Sequence, residues 1–115
     1  SLTYDKFFSK LNEVTLPKKD KSRLSSHHLY IIHLANKKNL KNKFLKYMLK
    51  KKIYVQYHYI PIYKFNIFNG KLKLINTENY FNSAISLPIF FDLSKEKQMY
   101  VIKSVYQFFK KKIKL

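Results

Sequence analysis

Four consecutive side chains, Gln56, Tyr57, His58 and Tyr59, are the ones in this 115-residue chain best suited to meet a polar ligand. They close an apolar stretch just before Pro61, and an extended backbone there presents alternate side chains at the edge of a cleft. His58 can donate to a ligand oxygen, and Tyr57 or Tyr59 can stack on a ring or hydrogen-bond. The same residues have a purely structural reading, in which the two tyrosines pack and His58 caps backbone.

The remaining candidates for chemistry carry less. His27 and His28 are adjacent, and on an extended chain adjacent residues point oppositely, so they seldom chelate one ion. No carboxylate cluster accompanies them, and a structural role at a strand start is the expectation rather than a metal. Ser86 has neither a nucleophile elbow nor a positioned acid. The six acidic residues are scattered, which argues against hydrolysis by paired carboxylates. With no cysteine, disulfides, thiolate nucleophiles and Cys-based zinc sites are all removed. Gly70 is the one glycine, too few for a P-loop, a dinucleotide fingerprint or a GxxG clamp.

The net charge is +18, carried by 24 Lys and Arg residues of which only Arg23 is arginine. Such a charge attracts polyanions, with binding that weakens as salt rises. Lysine is a flexible point charge, however, whereas specific phosphate and base recognition favours the planar arginine fork. Spread over every segment beside many Asn, Ile and Tyr, the lysines read as a solvated surface, including the 110–114 tail. Tyr54, Tyr63, Phe65 and Phe68 make an aromatic-rich stretch, read as a surface that packs on another domain rather than a base-stacking platform. At 46% hydrophobic and 17% aromatic residues, the composition argues against disorder. No apolar run approaches the ~18–20 residues of a membrane span, and the first ten residues lack the apolar core of a secretory signal. The chain begins with serine, and the expectation is a piece of a longer, cytoplasmic protein.

The elements that must position these residues follow from periodicity. Residues 4–11 predict a short helix with Phe7, Phe8 and Leu11 on one stripe. Pro17 and the charged residues 18–23 make a solvated connection. Residues 29–34, bounded by Ser25, Ser26 and Asn36, predict a buried strand in which Tyr30 and His33 serve the core or a domain interface. Asn39 can cap a helix over 40–51 bearing Leu40, Phe44, Tyr47 and Met48. Residues 53–57 predict a second strand, turned outward at Pro61. Residues 66–76, with Gly70, predict a loop. A helix over 77–84 carries Glu78 in its first turn, and a third strand over 85–89 ends or bends at Pro88. Ser94, with Glu96 and Lys97 nearby, starts a last helix bearing Val101, Ile102, Val105, Phe108 and Phe109. The fold class is α+β: a small two- or three-layer sandwich with a short sheet of about three strands and helices mainly on one face. Strand direction does not follow from the pattern.

Three stretches in order resemble the C-terminal domain of the DegT/DnrJ/EryC1 aminotransferases. Residues 26–32 (SHHLYII) resemble that family's HHLY-type strand, and residues 55–63 (VQYHYIPIY) its V-x-x-HY-x-P segment. Asn79, Tyr80, residues 84–88 (AISLP) and residues 94–98 (SKEKQ) resemble its A-x-x-LP run and the following [ST]-x-E-x-Q helix start. The resemblance spans roughly residues 24–109, and the VQYHYIP run is similar to the branch that acts in pseudaminic acid synthesis. It implies the small domain of a fold type I enzyme that uses pyridoxal phosphate (PLP) to move an amino group from glutamate to a UDP-4-keto-6-deoxy sugar. Residues 1–115 would then be that domain, with Gln56, Tyr57, His58 and Tyr59 lining the sugar-nucleotide site. The Schiff-base lysine and most PLP contacts would lie in an N-terminal domain outside this sequence, so the piece alone should bind no cofactor and be inert. A homodimer is implied for the intact enzyme, with no membrane and no specific nucleic acid as partner. The alternative is a basic α/β module that binds nucleic acid.

Overall fold

Tyr30, Ile32 and Leu34 are buried while Ile31 and His33 between them are partly exposed, the period of two that makes a half-buried strand. The computed structural model describes residues 1–35, 37, 39–68 and 72–113. Strand β2 (Tyr30–Leu34) is the middle of a three-stranded sheet, flanked by β1 (Val14–Thr15) and β3 (Ala84–Leu87). Both pairings are antiparallel, with Val14 opposite Leu34, Ile32 opposite Ile85 and Tyr30 opposite Leu87. The pattern left that direction open.

The expected three-stranded sheet is present, but its members differ. Val14–Thr15, unforeseen, is one strand, and residues 53–57 contribute only an isolated bridge from Gln56 to Ser86. The cause lies on the edge of β3. Antiparallel pairing of Gln56 with Ser86 would next use position 84 of β3 and position 88 just after it. Pro88 has no N–H to give, and the Ala84 N–H is already donated to the Tyr80 carbonyl at the end of a helix. The ladder therefore stops after one residue.

Helix α1 (Leu2–Phe8) is shorter than the predicted 4–11, yet Phe7, Phe8 and Leu11 are all buried as the stripe required. Helix α2 (Leu40–Lys50) buries Phe44 and Met48. Asn39 occupies its N-cap position but makes no side-chain cap bond, because φ there is 60° rather than extended. Helix α3 (Ile75–Ser83) begins two residues before the expected Thr77. Before it, Ile62–Lys64 and Asn66–Phe68 are 3-10 turns, the second inside the segment expected to be loop. Gly70 and Asn36 lie outside the described residues. Helix α4 (Lys95–Phe108) starts where Ser94 Oγ accepts the Lys97 N–H at 3.2 Å, the predicted cap. Phe108 and Phe109 are only partly buried, whereas Tyr106 is buried and donates to the Phe7 carbonyl at 2.7 Å.

One core joins Tyr30, Ile32, Ile85 and Leu87 of the sheet to Phe8 of α1, Phe44 and Met48 of α2, and Ile102 and Val105 of α4. Three helices thus cover one face of the sheet, as expected. Helix α3 meets the other face, where His33 Nδ1 is 3.0 Å from Ser83 Oγ and its ring stands edge-on to Tyr80.

Candidate functional site

The outer edge of β3 holds the Gln56–Tyr59 run in place through one residue. The Gln56 N–H donates to the Ser86 carbonyl at 3.1 Å, and the Ser86 N–H returns a bond of 2.7 Å. Ser86 is buried and alternates with Ile85 and Leu87, so its hydroxyl faces away from the main core. That hydroxyl lies 3.2 Å from the Gln56 carbonyl and 3.0 Å from His58 Nε2. With its one proton directed at the carbonyl, the Ser86 oxygen is free to accept an N–H from the His58 ring. His58 therefore binds a side-chain hydroxyl instead of capping backbone. Its ring stands edge-on to Tyr59, centroids 4.8 Å apart, and the peptide between them is cis.

Neither Tyr57 nor Tyr59 is a core residue: they are 46% and 77% exposed. Gln56 and Tyr57 point to different clefts, as successive residues of an extended chain do. Gln56 lines a cleft of about 520 Å³ with His28, Tyr54, Phe90, Lys97 and Tyr100. Tyr57 lines another of about 410 Å³ with Lys37, Asn39, Lys41, Asn42 and Phe81. His58 and Tyr59 line neither, so the four predicted residues share a segment but not a pocket.

Sequence reasoning missed Lys41 and Phe81. The Lys41 ammonium donates to the Phe81 carbonyl and stands over two rings, 4.4 Å from the centroid of Phe81 and 5.1 Å from that of Tyr57. Burial holds its pKa below the ordinary lysine value. Nothing in the sequence separates this lysine from its many exposed neighbours on α2.

Tyr63, read from sequence as part of an exposed aromatic surface, is buried. Its hydroxyl donates to Glu78 Oε1 at 2.8 Å, while Lys64 Nζ reaches Oε2 at 2.7 Å. The hydrogen bond from Lys64, then that from Tyr63, holds the Glu78 carboxyl below the usual carboxylate range. A buried acid needs such partners, so Glu78 joins the 3-10 turn to α3 as well as sitting in the first turn of the helix. Tyr54, Phe65 and Phe68 do remain exposed.

His27 and His28 are exposed and precede the strand; His27 has φ of 51°, so the pair is not on extended backbone as supposed. Among the described residues no group of three or more His, Asp or Glu is placed to hold a metal. Nor is any described helix long and apolar enough to cross a membrane.

Residues 1–106 match the DegT/DnrJ/EryC1/StrS aminotransferase family. The chain is 34% identical over 117 residues to the UDP-4-amino-4,6-dideoxy-N-acetyl-beta-L-altrosamine transaminase of Helicobacter pylori (strain ATCC 700392 / 26695), covering 95% of this chain and 30% of that protein. It is 30% identical over 87 residues to the dTDP-4-dehydro-2,3,6-trideoxy-D-glucose 4-aminotransferase of Saccharopolyspora spinosa, covering 75% of this chain and 22% of that one. The structure of Helicobacter pylori PseC, an aminotransferase involved in the biosynthesis of pseudoaminic acid, matches with a TM-score of 0.83 at 32% identity, over 95% of this chain and 30% of that one. The aminotransferase TlmJ of Streptoalloteichus hindustanus matches at 0.86 with 17% identity, over 95% of this chain and 30% of that one, a likeness of fold alone. The chain thus spans 22–30% of the length of the curated relatives it matches.

Proposed function

Because the chain belongs to the DegT/DnrJ/EryC1/StrS aminotransferase family, we propose that it is the C-terminal small domain of a sugar-nucleotide aminotransferase. The whole enzyme moves an amino group from glutamate to a UDP-4-keto-6-deoxy sugar, in pseudaminic acid synthesis or a related surface-glycan pathway. The observation that carries this is the 34% identity, over 95% of the chain, with a transaminase named for a UDP-linked amino sugar. In this role Gln56, Tyr57, His58 and Tyr59 line the sugar-nucleotide site. Their support is physical: exposed tyrosines and a hydroxyl-bound histidine on a segment fixed to the sheet at one point.

In the whole enzyme the cofactor is PLP, which supplies the electron sink for amino transfer. The described residues of this chain do not fit it by themselves. Among the described residues Lys41 is the lysine whose amine burial makes less basic, yet its amine is given to the Phe81 carbonyl. Among the described residues no carboxylate lies within 4.0 Å of it. A separate N-terminal domain therefore carries the Schiff-base lysine in this proposal, and the enzyme works as a cytoplasmic homodimer. The lysine surface adds a general attraction for the anionic nucleotide.

The test is amino transfer from glutamate to a UDP-4-keto sugar by the protein extended through its upstream coding sequence. Transfer by the extended protein and none by residues 1–115 is the expected result. A folded, PLP-loaded parent that transfers to no keto sugar would overturn the substrate assignment.

A further inference from the structure

We infer that the cleft between the first turn of α2 and the last turn of α3 binds the phosphate group of a small molecule carrying a flat ring, Lys41 and Lys37 meeting the anion and Tyr57 the ring. This rests on the proposed sugar-nucleotide site, because Tyr57 belongs to both, and it adds the groups that take the ligand's charge.

The cleft has the size for such a ligand, about 410 Å³, where small-molecule sites run from roughly 300 to 1,000 Å³. Its wall combines two lysines, three asparagines and the half-exposed ring of Tyr57. An ammonium has three N–H donors. The Phe81 carbonyl takes one from Lys41, which leaves two for an anion.

The charge balance around Phe81 gives the direction. Its ring lies between two cations, Lys41 at 4.4 Å and Lys64 at 5.1 Å from the centroid. Lys64 is matched by Glu78, 2.7 Å away. Lys41 is the more enclosed of the two, yet among the described residues it has no carboxylate partner. A partly desolvated cation with no counter-charge is costly, and an anion entering the cleft relieves that cost. Asn39, with no cap bond to the helix, keeps its side-chain amide available on the same wall. A phosphate ester satisfies the ammonium and the amides together, while the attached ring lies against Tyr57.

The same chemistry is offered by a free nucleotide and by a nucleic-acid backbone, so the experiment separates them. Backbone amide shifts of the 115-residue chain are followed by NMR during titration with inorganic pyrophosphate, UDP, uridine and a short single-stranded oligonucleotide. Pyrophosphate and UDP are expected to move Lys37, Asn39, Lys41 and Asn42, with uridine much weaker. Lys41→Met should weaken both anions about tenfold, the loss of one charge-assisted bond. Lys37→Ala, at an exposed position, should weaken them severalfold with the fold intact, which keeps the test open if Lys41→Met unfolds. The inference is overturned if UDP and pyrophosphate leave the cleft unmoved, or if only the oligonucleotide shifts it. UDP shifts confined to Gln56, His58 and Tyr59 would sink the cleft and leave the sugar-nucleotide proposal standing. Cleft shifts with those three residues still would do the reverse.

Discussion

His58 Nε2 lies 3.0 Å from the Ser86 hydroxyl, so the orientation of a solvent-edge imidazole is set by a buried residue of the sheet. Removing either partner should therefore impair the same function to different degrees. In the protein extended upstream, His58→Gln is expected to lower kcat/KM for the UDP-keto sugar at least about tenfold. Ser86→Ala should lower it by a smaller factor, because the ring remains but loses its restraint. Steady-state kinetics with glutamate as donor would decide the point. Wild-type values for both variants would remove His58 from the site.

His33 should make stability depend on pH. Burial beside Ser83 and Tyr80 pushes its imidazole below the ordinary value of 6.5. Between the folded and unfolded values the unfolded chain binds the extra proton, so stability rises with pH across that window. It is lost as pH falls below 6.5 toward the folded value. The melting temperature should be lower at about pH 5.5 than at about pH 7.5, and His33→Gln should flatten the difference. An unchanged pH dependence in the variant would assign it to another group.

The core and the last helix cap give two stability values of different size. Ile102 is fully buried at the centre of α4, and Ile102→Ala should cost about 2–5 kcal/mol. Ser94→Ala removes the acceptor of the Lys97 N–H and should cost about 1 kcal/mol. Urea denaturation measures both, and a cap loss as large as the core loss would mean that Ser94 does more than close the helix.

The charge of +18 should produce nucleic-acid binding that is weak, tolerant of sequence and steep in salt. Fluorescence anisotropy with single-stranded oligonucleotides between about 50 and about 200 mM salt would show affinity collapsing with a large log–log slope. Binding that persists at the upper salt with a sequence preference would favour a nucleic-acid module over a lysine surface.

The sequence made some of this legible and hid the rest for physical reasons. The β2 strand, the buried Phe7, Phe8 and Leu11, and the Ser94 cap follow from periodicity and capping chemistry that act over a few residues. The stretch 53–57 has strand composition but only one pairing, because its would-be neighbours are Pro88, just past β3, and an Ala84 whose N–H belongs to α3. Such competition for a donor is settled across thirty residues or so of chain and leaves no local mark. Val14–Thr15 is too short for any period to show. At the candidate site, His58 and its tyrosines were visible by type, whereas Lys41 became distinct only when folding placed it over Phe81 and Tyr57. Ser86 has no nucleophile's setting in the sequence, and its actual part, holding His58, needs the sheet register to be seen.

The single bridge between Gln56 and Ser86 has an evolutionary side. A strand woven fully into a sheet cannot change its residues without disturbing the neighbours on both sides, so its sequence is inherited with the fold. A segment held at one point, with Tyr54, Tyr57, Tyr59 and Ile60 exposed, escapes that bond. The positions outside the V-x-x-HY-x-P pattern, such as Tyr54, Tyr57 and Ile60, can drift toward a new ligand while the core beneath is left as it was. Descendants of one ancestral domain can thus part company in what they recognise long before they part in shape.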